Sequence, residues 1–143
     1  MPKSTPWCVA VALLAALPVR PEAQTYTCLP DTATQVQILR DYLVGVVTGT
    51  DSTSVATRTA YHLPAVAASK ITVVTSASVC HQAGDAYHAA ITDPGTPAGS
   101  RTLVVIKVST SRYVVLDLNQ RMGEFELHYV FDSKWSPLVA FGS

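Results

Sequence analysis

Val36, Leu39, Leu43, Val46 and Val47 recur at steps of three and four residues, the spacing of one helical face, and predict a helix over about residues 33–47. Thr32, followed three places later by Gln35, has the form of a capping box, and Gly49 supplies a stop. A shorter helix is expected through VATRTAY, capped by Asp51 or Ser52 and bounded by Pro64. KITVVT is dense in β-branched side chains and reads as a short buried strand over about 70–75. A third helix follows over about 77–90, with Thr75 or Ser76 as its cap. On its wheel, at about 100° per residue, Val79, Ala83, Ala86, Tyr87 and Ala90 share one arc. His81, Asp85 and His88 fall on the opposite side.

Beyond the Pro/Gly-rich loop TDPGTPAGS the period changes from helical to alternating. RTLVVIKV and RYVVLDL are separated by Ser109-Thr110-Ser111, short enough for a hairpin. EFELHYVF alternates, with Phe125, Leu127, Tyr129 and Phe131 on one face and Glu124, Glu126 and His128 on the other. Asp132-Ser133-Lys134 then turns into WSPLVAF, where Pro137 favours an edge position and Trp135 is expected to join Phe131 in the core. The pattern predicts an α+β domain: a mainly antiparallel sheet, made of a four-strand C-terminal meander plus one preceding strand, with two or three helices on one face.

The N-terminus changes the accounting of charge and cysteine. MPKSTPWCVAVALLAALPV offers one cation, Lys3, and an apolar run from Trp7 to Leu17 that is too short to span a bilayer but suits a secretory signal. Residues 1–23 are therefore expected to be a signal peptide and 24–143 a single domain, secreted or periplasmic, without a membrane anchor in its mature form. Removing Lys3, Arg20 and Glu22 takes the basic count from 10 to 8 and the acidic count from 10 to 9, a net of 8 − 9 = −1. Near-neutrality without a basic run argues against a nucleic-acid partner. Cys8 leaves with the signal, so Cys28 and Cys80 remain as an even pair bound for an oxidising compartment, where they are expected to form a disulfide. Closing a loop of that length stabilises a fold by roughly 3–4 kcal/mol in the chain-entropy model.

Three constellations have the residue types that chemistry needs. Cys80 in the first turn of a helix has the setting of an activated thiol, but His81 beside it points about 100° away and cannot serve it as a base. His81, Asp85 and His88, at i, i+4 and i+7, place two imidazoles and a carboxylate on one stripe, the donor set of a zinc or copper site. Glu124, Glu126 and His128 share the outward side of their strand, with Asp117 on the strand before, and form a possible acid/base cluster beside Tyr113 and Val115. Each also has a plain structural explanation: a disulfide cysteine, a solvated helix face and a solvated sheet face. Phosphate loops, nucleophile elbows, HExxH helices and paired CxxC motifs are absent from the sequence. The leading expectation is a small exported, disulfide-stapled module that binds a protein or an envelope component without catalysis and without a cofactor. An enzyme using Cys80 or the Asp117/Glu124/Glu126/His128 face is the first alternative, and a metal-binding domain using His81, Asp85 and His88 is the second.

Overall fold

The computed structural model describes residues 25–91, 100–118 and 128–140. Its elements are β1 (Thr25–Cys28), α1 (Thr34–Thr48), α2 (Ser52–Ala60), a 3-10 turn (Ala68–Lys70), β2 (Ile71–Val73), α3 (Ala77–Ile91), β3 (Ser100–Val108), β4 (Arg112–Asp117), β5 (His128–Asp132) and β6 (Pro137–Ala140). The fold class is α+β, with a six-stranded, mostly antiparallel sheet in which the one parallel pair is β1–β3. The meander β3-β4-β5-β6 forms as the alternation requires, and β6 with its Pro137 takes the edge. Phe125 and Leu127 lie outside the described residues.

β1 was not signalled by the sequence. It runs parallel to the first half of β3, Thr25 opposite Ser100 through Cys28 opposite Leu103. β2 runs antiparallel to the second half, Ile71 opposite Val108 through Val73 opposite Ile106. Because β4 occupies the other side of β3, β1 and β2 lie end to end on one side and converge near its middle. Four residues of TYTC hold no apolar run that would announce a strand; pairing with β3 decides it.

The helices divide between the two faces of the sheet, which corrects the expectation that they share one. On the first face Val36, Leu39, Leu43, Val46 and Val47 of α1 pack on Val104, Ile106, Val108, Val114, Leu116 and Val130. On the second, Ala83 and Tyr87 of α3 pack on Leu103, Val105, Val115 and Phe131. The reason is in the strands: β3 and β4 are apolar at consecutive positions, as strands buried on both faces are. α2 buries no residue of its own and is secured at its ends. Asp51 caps it by accepting from the Ser54 backbone N–H at 2.9 Å, and Arg58 donates from Nη1 to the Val46 and Gly49 carbonyls at 2.7 and 2.6 Å, closing the C-terminus of α1. The Thr32–Gln35 capping box does not form; Ala33 is the N-cap residue, and the Gln37 amide reaches back to the Asp31 carbonyl.

Candidate functional site

α3 packs on the second face chiefly over β1 and β3, with Tyr87 reaching toward β4 and β5. Its close approach depends on Gly84, over which the ring of Tyr26 lies so near that a Cβ there would meet three ring carbons at 2.2–2.4 Å. The disulfide Cys28–Cys80, Cα–Cα 5.9 Å, ties the end of β1 to the first turn of α3 where β1 and β2 converge. Cys80 is 3% exposed and its sulfur is bonded, so it is not a free nucleophile in this structure.

Beneath α3 lies a buried polar cluster. Arg101 Nη1 donates to Asp117 Oδ2 at 2.6 Å, with the residues 5% and 0% exposed. The Tyr87 hydroxyl hydrogen-bonds the same carboxylate, and the Arg101 guanidinium lies 5.8 Å from the Tyr87 ring centre. Burial first, and then the Asp117 charge, raise the Tyr87 pKa far above the usual phenol range, so it remains a donor. Asp117 is thus a buried group paired with Arg101 and not part of a solvated cluster. The strand register pairs His128 with Leu116, not with Asp117. Glu124 and Glu126 lie outside the described residues.

The helical stripe is brought together only in part. His81 Nε2 and Asp85 Oδ2 approach to 3.1 Å, both well exposed, and the His81 ring lies 5.7 Å from that of Tyr26. The Tyr26 hydroxyl is shielded from solvent beside Asp85 without closing a well-formed hydrogen bond; burial, and then the Asp85 charge, raise its pKa. His88 is half-buried and its Nδ1 is sealed from solvent without a partner, so it is not the solvent-facing residue that the wheel suggests. Among the described residues no three His, Cys, Asp or Glu side chains gather as metal ligands.

Beyond the helix the second face carries an aromatic array. Tyr87 meets Tyr129 edge-on at 5.3 Å, Tyr129 stacks toward Phe131 at 6.1 Å, and Phe131 meets Trp135 at 5.8 Å. Trp135 stacks on Tyr113 at 4.1 Å with an interplanar angle of 20°. The Lys107 ammonium lies 5.6 Å from the centre of the same Tyr113 ring. Phe131 is fully buried, as its alternation requires, while Tyr113, Tyr129, Trp135 and Lys107 are only half-buried. Trp135 therefore roofs the core and is not sunk within it.

Comparison with protein families, curated proteins and solved structures finds no match to this chain.

Trp135 is also held in an uncommon backbone conformation, φ 64°. The hairpin turn between β5 and β6 explains the left-handed residue but not the choice of a bulky one, for which glycine or asparagine is the easier occupant. Asp132 Oδ1 accepts from the backbone N–H groups of Lys134 and Ser136, each at 2.9 Å, and fixes the turn around it. The sequence signal was available in Asp-Ser-Lys-Trp, a turn followed at once by tryptophan, but nothing in it told which side of the sheet the indole would join.

Proposed function

We propose that this chain is a small exported, disulfide-stapled binding module, and that the partly exposed aromatic part of the second sheet face is its ligand surface. The observation that carries the reading is Trp135: only partly buried, stacked on Tyr113, and held at positive φ by a turn that the Asp132 carboxylate organises. Costly local conformations persist where something else is gained, and a fixed aromatic beside a cation is a binding feature. Two further facts favour binding over catalysis. Cys80 is committed to Cys28, and Asp117 to Arg101, so the groups on which the enzyme reading leaned have structural roles. Export rests on the leader-like N-terminus together with the disulfide, which belongs to an oxidising compartment.

The test uses the fact that a chain starting at residue 24 has Trp135 as its sole tryptophan. Isolated envelope fractions, added in turn, are expected to protect Trp135 fluorescence from iodide quenching, and Tyr113→Ala is expected to weaken that protection. Full quenching in the presence of every fraction, or turnover of a substrate that depends on Asp117 or His128, would overturn the proposal. The mass of protein recovered after export is expected to lack residues 1–23; a mass that retains Met1 defeats the leader reading.

A further inference from the structure

Four of the seven lysines and arginines among the described residues collect at one end of the sheet. Lys70 closes the 3-10 turn before β2, and its carbonyl accepts the Ser109 N–H at 2.8 Å, which fixes it beside the β3–β4 turn. Lys107 and Arg112 flank that turn, and Arg112 stands opposite Asp132, next to the turn that bears Lys134. From β2 to the β5–β6 turn, between three and four strand spacings of ~4.8 Å, these cations line a rim on the order of 15 Å long. Asp132 is the one acid placed there among the described residues, and its Oδ1 is already bonded to two backbone N–H groups. Lys70, Lys107 and Lys134 form no ion pair with any described carboxylate; the pairs present are His81–Asp85 and Arg101–Asp117, both away from the rim. The three described non-glycine residues at positive φ, His62, Ser109 and Trp135, also lie at this end, His62 being bound through its carbonyl to Arg112 Nε at 2.5 Å.

We infer that this rim binds an extended acidic polysaccharide, with Lys70, Lys107 and Lys134 meeting carboxylate groups along the polymer. The inference rests on the binding reading above and names its ligand class. Charge complementarity selects a polyanion, because uncompensated cations in a row attract a ligand of repeating negative charge. The surface chemistry then chooses among polyanions. Ser109, Thr110, Ser111, Ser133 and Ser136 occupy the two turns and supply hydroxyls suited to the hydroxyls of sugars. Stacking of nucleobases needs open ring faces, and Tyr113 is stacked on Trp135 at 4.1 Å with the Lys107 ammonium 5.6 Å from its ring centre. Insertion into lipid needs exposed apolar side chains, and the large exposed ones, Ile38, Tyr42 and Val55, lie on α1 and α2.

Polygalacturonate is the probe, dextran its neutral control, titrated into the chain from residue 24 onward while Trp135 emission is followed at low salt. Polygalacturonate is expected to bind and dextran not, with affinity falling as salt rises. The double variant Lys70→Gln/Lys134→Gln is expected to bind on the order of tenfold more weakly and with a salt slope smaller by roughly two, whereas Arg40→Gln, on α1, leaves both unchanged. Circular dichroism of each variant confirms that the fold persists. Unaltered binding by a folded double variant would overturn the rim assignment. Equal or tighter binding of single-stranded DNA, or of phosphatidylglycerol vesicles, would overturn the polysaccharide assignment. If polygalacturonate fails while an envelope fraction still protects Trp135, the ligand class is wrong and the binding reading stands; if neither has any effect, both fall.

Discussion

Alanine in place of glycine on two helices of this protein should act with opposite signs. In α1, Gly45 sits on the exposed side of the helix, and a Cβ added there meets nothing within 4 Å. Gly45→Ala therefore gains the helix-propensity difference alone, up to about 1 kcal/mol. In α3, Gly84→Ala gains the same amount but drives a methyl group to 2.2 Å from a ring carbon of Tyr26. The ring cannot withdraw cheaply. β1 is paired with β3 at Tyr26 opposite Arg101, and two residues later Cys28 is bonded to α3 itself. Overpacking of this kind costs about 1–3 kcal/mol, and an approach so far inside contact distance belongs at the upper end. Subtracting the propensity gain leaves a net destabilisation of about 2 kcal/mol. In a urea titration followed by circular dichroism, with a slope of ~2 kcal/mol/M, that is a midpoint lower by roughly 1 M, against a midpoint raised by up to about 0.5 M for Gly45→Ala. Tyr26→Leu, with no ring across the glycine, should remove most of the penalty when combined with Gly84→Ala. A Gly84→Ala protein at least as stable as the parent would refute the close packing of α3 on β1.

In the chain from residue 24 onward, Cys28→Ser and Cys80→Ser open the same loop, with a sequence separation of 52, and are each expected to cost about 4 kcal/mol in denaturant titrations, with no free thiol detected in that chain when denatured and unreduced. A pair of clearly unequal losses would show that one cysteine does something besides bonding. Asp117→Ala leaves the Arg101 guanidinium buried without its partner and is expected to destabilise by about 3–5 kcal/mol, read from the same titration, whereas the double change Asp117→Leu/Arg101→Met should recover much of that loss. The Asp51 carboxylate is held below its usual pKa by the Ser54 backbone N–H first and the Ser54 hydroxyl second. Its folded pKa lies below the unfolded one, so its contribution to α2 is complete above the ordinary aspartate range and is lost as pH falls through the folded value. Helix content measured from pH 7 downward should show that acid-side loss in the parent and a smaller one in Asp51→Asn; identical profiles would count against the cap.

The spacing of Val36, Leu39, Leu43, Val46 and Val47, the alternation beyond residue 100 and the even cysteine pair determine the α1 face, the meander and the Cys28–Cys80 bond, because each is a local periodicity or a count. What they leave open depends on contacts between distant residues. Apolar runs such as LVVI announce burial on both faces of a strand without saying which helix covers which, so the division of α1 and α3 between the two sides of the sheet was decided by packing. The polar residues of Tyr26-Thr27 became a strand only because β3 offered an unpaired edge. Asp117 looked solvated by alternation, and became a core group because Arg101, sixteen positions earlier, came to lie beside it. A net charge near zero hid a cationic rim for the same reason: Lys70, Lys107, Arg112 and Lys134 stand far apart along the chain, and the turn-end register of β2 to β6 brings them together. Net charge sums over the whole molecule, whereas a ligand responds to the charges within about a Debye length of where it binds, and only tertiary structure fixes which those are.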